Sequence, residues 1–179
     1  FQFGAFCPLF RSHGQYPYRE PWHIAPQGHE AYESMAYSLD LRYRLMPYIM
    51  EEAKVATETG YPMLRALMMH HPEDRTVWHI DDEYYFGSQF LVAPVISAEG
   101  RRDVYLPEGR WVNFFTGERH EGGRWLKGVE VPLDQMPVYV REGASISIYP
   151  DEEVQHTDQM DLQKAETLTI DETFNGFKF

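Results

Sequence analysis

The apolar residues of this chain change their period at Pro62, and no single kind of repeating element satisfies both halves. Over 30–59, Tyr32, Met35, Ala36, Leu39, Tyr43, Met46, Met50 and Ala53 recur every three or four residues, the spacing of one helix face. Arg42, Arg44, Glu51, Glu52 and Lys54 fall off that stripe. Gly60 then supplies a C-cap, with Pro62 beyond it. Pro47 lacks the N–H that would bond the Tyr43 carbonyl, which predicts a kink inside the helix. After Pro62 the period becomes two. Short apolar runs at 63–69, 84–95, 104–106, 111–115, 124–126, 129–131, 138–141, 145–148 and 167–170 read as strands. Pro72-Glu73-Asp74, Pro107-Glu108-Gly109, Thr116-Gly117-Glu118 and Glu121-Gly122-Gly123 punctuate them. Many short strands with such turns predict an antiparallel β-sandwich.

The first residues add a third pattern. Pro8 separates a helix end over 1–6 from a short strand over 9–12. Pro17, Pro21, Pro26 and Gly28 make 15–30 a long loop. One strand and one helix cannot bury both their faces. The pattern therefore predicts the last βα unit of a larger α/β body over 1–62, followed by a sandwich over 63–179. Residues 151–166 are polar and acidic and read as an exposed excursion, and 174–179 as a further strand. Both ends fall within apolar sequence, which suggests truncation at each. An isolated segment of this kind is expected to expose an apolar helix face and to be poorly soluble.

Charge narrows the partners. The net charge is -12, from 16 basic and 28 acidic residues, which disfavours nucleic acid and anionic membrane surfaces. The surplus is concentrated after residue 62: 5 Lys/Arg and 7 Asp/Glu precede that point, and 11 and 21 follow it. No run of apolar residues is long enough to span a bilayer. The single cysteine, Cys7, permits no internal disulfide and reads as a buried structural residue. Oligomeric state and compartment stay open, periplasm and cytoplasm alike.

A pair of facing carboxylates would signal glycosidic chemistry, but none stands out. Asp81-Asp82-Glu83 reads as a solvated turn, and Asp103, Asp134 and Asp171 as turn-holding carboxylates. His70-His71 has no third ligand at metal-site spacing. His13 is distinct because it closes the 9–12 strand, precedes Gly14 and opens the long loop. Active sites of (β/α)8 barrels lie at strand C-termini, so His13 either bonds a ligand there or organises the loop. Arg11, two residues earlier on the same predicted strand face, reads as pairing with a carboxylate behind the substrate. Trp22 lies in the same loop and is the candidate aromatic platform for a ligand ring, a sugar if the ligand is one. Trp78, Trp111 and Trp125 alternate within apolar runs and read as core.

Several of these runs resemble one family. The segment Gln2-Phe3-Gly4-Ala5-Phe6-Cys7-Pro8-Leu9-Phe10-Arg11-Ser12-His13-Gly14 resembles the approach to the eighth barrel strand in glycoside hydrolase family 31. Arg19-Glu20-Pro21-Trp22 resembles its next loop, and Leu41-Arg42-Tyr43-Arg44-Leu45-Met46-Pro47-Tyr48-Ile49 its eighth helix. Tyr85-Phe86-Gly87, Phe90-Leu91-Val92-Ala93-Pro94-Val95 and Pro137-Val138-Tyr139-Val140-Arg141-Glu142-Gly143-Ala144 are similar to its proximal sandwich. The resemblance implies the last part of a (β/α)8 TIM barrel followed by an antiparallel β-sandwich. It implies a retaining α-glycosidase acting on an oligosaccharide or glycoside, with α-xylosidase ahead of α-glucosidase. The alternatives are a lyase or transglycosylase of that family, or a non-catalytic carbohydrate-binding sandwich. It places the nucleophile and acid/base aspartates on upstream barrel strands, outside this segment, which alone would be inactive. It gives His13 a hydrogen bond to the sugar in the -1 subsite. No metal or organic cofactor is implied, and the partner of residues 1–62 would be the upstream barrel of the same chain.

Overall fold

The computed structural model describes residues 1–150, 154 and 156–178. Four α-helices come first: α1 (Gln2–Ala5), α2 (Pro21–Ile24), α3 (Glu30–Arg44) and α4 (Met46–Thr59). Ten strands follow: β1 (Leu64–Ala66), β2 (Tyr84–Phe86), β3 (Phe90–Val92), β4 (Arg101–Leu106), β5 (Arg110–Asn113), β6 (Arg119–Glu121), β7 (Arg124–Glu130), β8 (Val138–Arg141), β9 (Ser145–Ile148) and β10 (Glu166–Thr169). All their pairings are antiparallel. Six strands form one sheet in the order β1-β2-β3-β8-β5-β6, while β4-β7 and β9-β10 form two ribbons.

Strand alternation explains how the layers stack, because neighbouring side chains point to opposite faces. In the six-stranded sheet Phe86, Phe90, Val92, Val112, Val138 and Val140 share one core with Leu41, Leu45, Tyr48 and Ile49 of the helices, and with Ile146 and Ile148 of β9. Tyr85, Leu91, Trp111 and Tyr139 point the other way, into a second core closed by Val104, Tyr105 and Leu106 of β4. The sheet is thus covered on both faces, by helices and the β9-β10 ribbon on one and by the β4-β7 ribbon on the other. The predicted sandwich is present in this layered form.

The helical region departs from its sequence pattern in two ways. The kink at Pro47 is a break: α3 ends at Arg44, Leu45 adopts φ -83° and ψ 0°, and Pro47 lies in the first turn of α4, where its missing N–H costs nothing. The buried face is also not the predicted one. It runs through Ser34, Met35, Ser38, Leu41, Arg42, Leu45, Tyr48, Ile49 and Glu52, roughly a third of a turn from the apolar stripe. Arg42 and Glu52 are tolerated inside because each is fully engaged. Arg42 donates to the carbonyls of Ala5, Cys7 and Pro8. Glu52 pairs with Arg65 at 2.6 Å and accepts from Ser88 N and Oγ. Met50, on the predicted stripe, is exposed.

Other expectations are corrected. Residues 9–12 form no strand, since no strand among the described residues lies beside them to share backbone hydrogen bonds. The 15–30 loop contains α2. The run 124–126 and residues 129–130 of the next run belong to one strand, β7, and β6 (Arg-His-Glu) carries no apolar signal. Residues 174–178 are not a strand: Phe174 and Phe177 bury against Phe114, the Phe177 ring stacking at 4.9 Å. Phe179 lies outside the described residues, as do 151–153 and 155 of the expected excursion. The described part of that stretch is mostly exposed, with Met160 buried. Trp111 is fully buried, but Trp78 and Trp125 are exposed.

Candidate functional site

The segment that carries His13 is held from behind by one buried cation. Ser34, Ser38 and Arg42 follow each other up α3 at four-residue spacing, and Ser38 Oγ donates back to the Ser34 carbonyl at 2.8 Å. Arg42 reaches the Pro8 carbonyl at 2.9 Å and that of Ala5 at 3.3 Å, with Cys7 O as its third acceptor. The planar guanidinium spreads its donors over two nitrogens, Nη1 serving Ala5 and Cys7 and Nη2 serving Pro8, where a lysine would have to serve all three carbonyls from one. It thereby fixes the chain just before residues 9–13. Sequence reasoning left Arg42 on the solvent side. Its only sequence signal is the 34–38–42 polar spacing on a helix that must bury some face. Cys7 is buried, its thiol donates to Phe3 O at 3.2 Å, and burial pushes its pKa up, so it stays an unreactive thiol.

Beyond Pro8 the backbone is irregular and exposed. His13, Arg11 and Trp22 are all solvent-facing. Without a strand, spacing no longer places Arg11 and His13 on one face, and no ion pair to Arg11 is found among the described residues. Ser12 Oγ donates to the Arg19 carbonyl at 2.6 Å, closing the stretch after His13 into a loop. The Arg19 side chain covers Gly14, where an added Cβ would meet it at 2.9 Å. Pro21 opens α2 as its first residue and is buried, so Trp22 projects from an anchored turn. Trp22 is 65% exposed and joins a line of rings: Trp22–His23 at 6.2 Å, His23–Tyr18 at 5.5 Å and Tyr18–Tyr16 at 6.3 Å. The sequence reading missed Tyr16 and Tyr18, although aromatic residues in a proline-rich loop were signal enough.

The carboxylate and histidine clusters serve structure. Arg102 Nη2 sits 2.9 Å from Asp82 Oδ1 and 3.3 Å from Glu83 Oε1. Glu83 Oε1 also accepts the Tyr105 N–H at 2.9 Å, and the Glu83 side chain is sealed from solvent. Glu83 therefore departs from the solvated turn its sequence suggests, whereas Asp81 and Asp82 are exposed as expected. Asp171 does hold a turn, accepting from Thr173 N and Oγ. His70 and His71 follow a 3-10 turn and do not diverge as strand neighbours would. Both gather on Tyr85: His70 stacks on its ring at 4.2 Å, and His71 Nε2 lies 2.8 Å from its hydroxyl.

Comparison with known proteins places this arrangement. Residues 1–52 match the model of the glycosyl hydrolases family 31 TIM-barrel domain, and residues 60–146 that of the family 31 C-terminal domain. An alpha-xylosidase of Saccharolobus solfataricus is 38% identical over 150 residues, 83% of this chain and 20% of its own length. Alpha-glucosidase 2 of Bacillus thermoamyloliquefaciens is 34% identical over 151 residues, 82% of this chain and 19% of its own. The crystal structure of a family 31 alpha-xylosidase from Xanthomonas citri superposes with a TM-score of 0.84 at 44% identity, covering 94% of this chain and 18% of that one. The chain thus spans about a fifth of the length of the relatives it matches. Two domain models of one family, matched in order along the chain, establish that the chain belongs to glycoside hydrolase family 31.

Proposed function

We propose that the full-length protein is a retaining α-glycosidase that removes terminal α-linked xylose from oligosaccharides, and that this chain supplies the end of its barrel and the sandwich behind it. The observation that carries the reading is the 44% identity over 94% of the chain to an alpha-xylosidase structure, beside 38% identity to a second alpha-xylosidase and 34% to alpha-glucosidase 2. In this reading the nucleophile and the acid/base aspartates stand on earlier barrel strands, about 5–5.5 Å apart as retention requires. His13 accepts or donates a hydrogen bond to a hydroxyl of the sugar being cleaved, and that bond tightens as the oxocarbenium-like transition state forms. Arg42 fixes the backbone from which His13 projects. Trp22 offers its exposed face to the sugar or its aglycone. Arg11 acts through a carboxylate of the barrel and not on the sugar itself. The substrate is an oligosaccharide or glycoside, and the upstream barrel covers the outward face of α3 and α4.

Hydrolysis of aryl α-xyloside and aryl α-glucoside by the full-length protein, wild type and His13→Ala, tests this. The xyloside is expected to be cleaved with the higher kcat/KM. His13→Ala is expected to lower that value by about tenfold or more, about 1.4 kcal/mol of transition-state binding. Preference for the glucoside makes the enzyme an α-glucosidase. Release of an unsaturated or transferred sugar makes it a lyase or transglycosylase. Cleavage of neither substrate defeats the hydrolytic reading.

A further inference from the structure

The six-stranded sheet has two edges, and only one of them is built for water. At one end β6 presents Arg119, His120 and Glu121, the kind of charged side chains with which sheets discourage further pairing. At the other end β1 is Leu64-Arg65-Ala66 and pairs with β2 alone. Its one charged side chain is no guard. Arg65 is buried and engaged by Glu52 at 2.6 Å and by the Pro62 carbonyl at 2.6 Å. Leu64 and Ala66, on either side of it, are exposed.

The backbone of β1 is open along the same edge. Gly87 donates to the Met63 carbonyl at 2.7 Å, and bonded positions alternate in an antiparallel pair. Met63 and Arg65 therefore turn their N–H and C=O groups to β2, and Leu64 and Ala66 turn theirs outward. Ala66 is the N-cap of the 3-10 turn Leu67–Met69, which engages its carbonyl. The Leu64 N–H, the Leu64 carbonyl and the Ala66 N–H remain. No hydrogen bond to these three is found among the described residues. An apolar groove of about 780 Å3 continues from this edge over the corner of the sheet. Phe3, Leu64, Ala66, Ile80, Val95 and Ile96 line it, with Phe3 52% and Ile96 80% exposed.

Outward backbone groups beside an apolar groove are what an added strand requires: the main chain supplies the pairing and alternate side chains fill the groove. We propose that in the full-length protein an extended segment of the chain upstream of Phe1 adds to β1 as a further strand and lays its apolar side chains in this groove. The proposal rests on the upstream barrel of the proposed function and not on the sugar that barrel cleaves. Three observations select this occupant. Phe3, one wall of the groove, belongs to α1 and to the residues matched to the family barrel domain. Its ring packs edge-on against Tyr84 at 5.9 Å, and Tyr84 Oη donates to the Phe6 carbonyl at 3.0 Å. The groove thus continues a contact by which barrel-matched residues already meet the sheet. An edge of three backbone groups is too short to hold a separate molecule, since stable interfaces bury about 1,200 Å2 or more. It suffices for a segment of the same polypeptide, which is held close by its own chain. A second copy on the same edge would also bring the exposed Asp81 and Asp82, which line the groove, against their own counterparts.

Hydrogen exchange of the full-length protein, read at single residues by fragmentation mass spectrometry, tests it. The Arg65 amide, bonded to β2, is the internal reference. The Leu64 and Ala66 amides are expected to exchange within about tenfold of it. Exchange faster than that means an open edge and overturns the proposal. Ala66→Pro separates strand pairing from mere coverage. Ala66 has φ -61°, which proline adopts, and its N–H is not used by β2, so the substitution spares the β1-β2 pair and removes one bond to the added strand. It is expected to speed exchange at Leu64 by about tenfold or more and to leave Arg65 within about threefold of wild type. A Leu64 amide that stays slow in this variant means coverage without pairing, and the proposal fails. If Arg65 is disturbed as well, Ile96→Asp decides, because it changes the far wall of the groove and leaves β1 intact. Leu64 then exchanges about tenfold faster or more if a segment lies in the groove, and unchanged exchange overturns the proposal. Protection at Leu64 and Ala66 that disappears on about hundredfold dilution assigns the edge to a second copy and defeats it. None of these readouts uses activity, so failure to cleave any aryl glycoside removes the proposed hydrolytic function and leaves the exchange result able to decide this one.

Discussion

Glu83 accepts the Tyr105 N–H at 2.9 Å and faces Arg102 at 3.3 Å, with Asp82 beside it and Oε2 without a partner. Burial outweighs the Tyr105 and Arg102 contacts and, with Asp82 acting in the same direction as burial, pushes its pKa up to about 7, from 4.5. The folded state therefore holds more protons than the unfolded chain between those values. Stability from this group is complete below 4.5 and is lost as pH rises through 7. His70 does the reverse. Burial first, then Arg65, His71 and Arg141, lower it to about 4 from 6.5, opposed by Glu52. Its stability is present above 6.5 and is lost as pH falls through 4. Between 4.5 and 6.5 the two slopes oppose each other. Glu83→Gln keeps the acceptor for Tyr105 and removes the charge. The variant is expected to have a higher urea midpoint than wild type at pH 8 and to lose stability more steeply on acidification, each pKa unit being worth about 1.4 kcal/mol. A Gln variant weaker than wild type at pH 8 would show that the Arg102 pair outweighs the burial cost. Three adjacent carboxylates look solvated in sequence, and for Asp81 that holds. Glu83 is buried because the chain folds β4, with Arg102 and Tyr105, over it, which no local pattern announces.

At the scale of elements, the docking of α4 on the β2-β3 turn depends on one missing side chain. Gly87 has φ +63°, and a Cβ there would meet Tyr48 Oη at 2.1 Å and Glu52 Cγ at 2.6 Å. Those side chains cannot withdraw cheaply. Tyr48 donates to Phe86 O at 2.8 Å and accepts from Gln89 N at 3.1 Å, while Glu52 holds Arg65 and Ser88. Gly60, the C-cap of α4, has a similar φ of +74° with nothing within 4 Å. Gly60→Ala is therefore expected to cost only the left-handed backbone penalty, about 1–2 kcal/mol. Gly87→Ala is expected to cost at least about 2 kcal/mol more, since a packed buried network must open. Denaturant titration of both variants separates the two terms, and equal losses would mean the network yields freely. The C-cap at Gly60 and strand β8 were legible in sequence, the first from a glycine after a periodic run, the second from the apolar stretch Val138-Tyr139-Val140. The helix face was not. Hydrophobic spacing assumes that charged residues face water, and Arg42 and Glu52 break that assumption because carbonyls and Arg65 meet them inside. Strand β6 was invisible for the complementary reason: an edge strand of Arg, His and Glu has no apolar alternation, and it forms by pairing with β5 and through polar contacts such as Arg119 to Glu142. At the candidate site, His13 and Trp22 were legible as a loop opening and its aromatic, whereas Arg42, which holds that loop's root, was not.

For the whole molecule, the question is whether 1–62 and 63–179 are separate folding units, the division we propose from the change of period. The core argues that they depend on each other. Leu41, Leu45, Tyr48 and Ile49 cover the same sheet face as Phe86, Phe90 and Val92. Phe6 of the first segment packs edge-on against Phe86 at 6.1 Å and Phe90 at 5.5 Å. The opposite sheet face is already closed by β4 and β7, so the helices are the cover this face has besides β9, β10 and the 174–177 stretch. Removing residues 1–62 would expose a contiguous patch of aromatic and branched side chains, of the kind that drives aggregation. The 179-residue chain, kept dilute against the poor solubility expected of it, is therefore expected to unfold in one transition, with helical circular dichroism and the fluorescence of Trp111 in a background with the other three tryptophans replaced by Phe changing together. The 63–179 segment alone is expected to bind a hydrophobic dye and to show no cooperative transition. If 63–179 instead melts sharply, and the helical signal of the whole chain is lost at a lower denaturant concentration than the Trp111 signal, the sandwich is an independent unit. The shared core would then be an interface between two domains, with α3 and α4 free to follow the barrel.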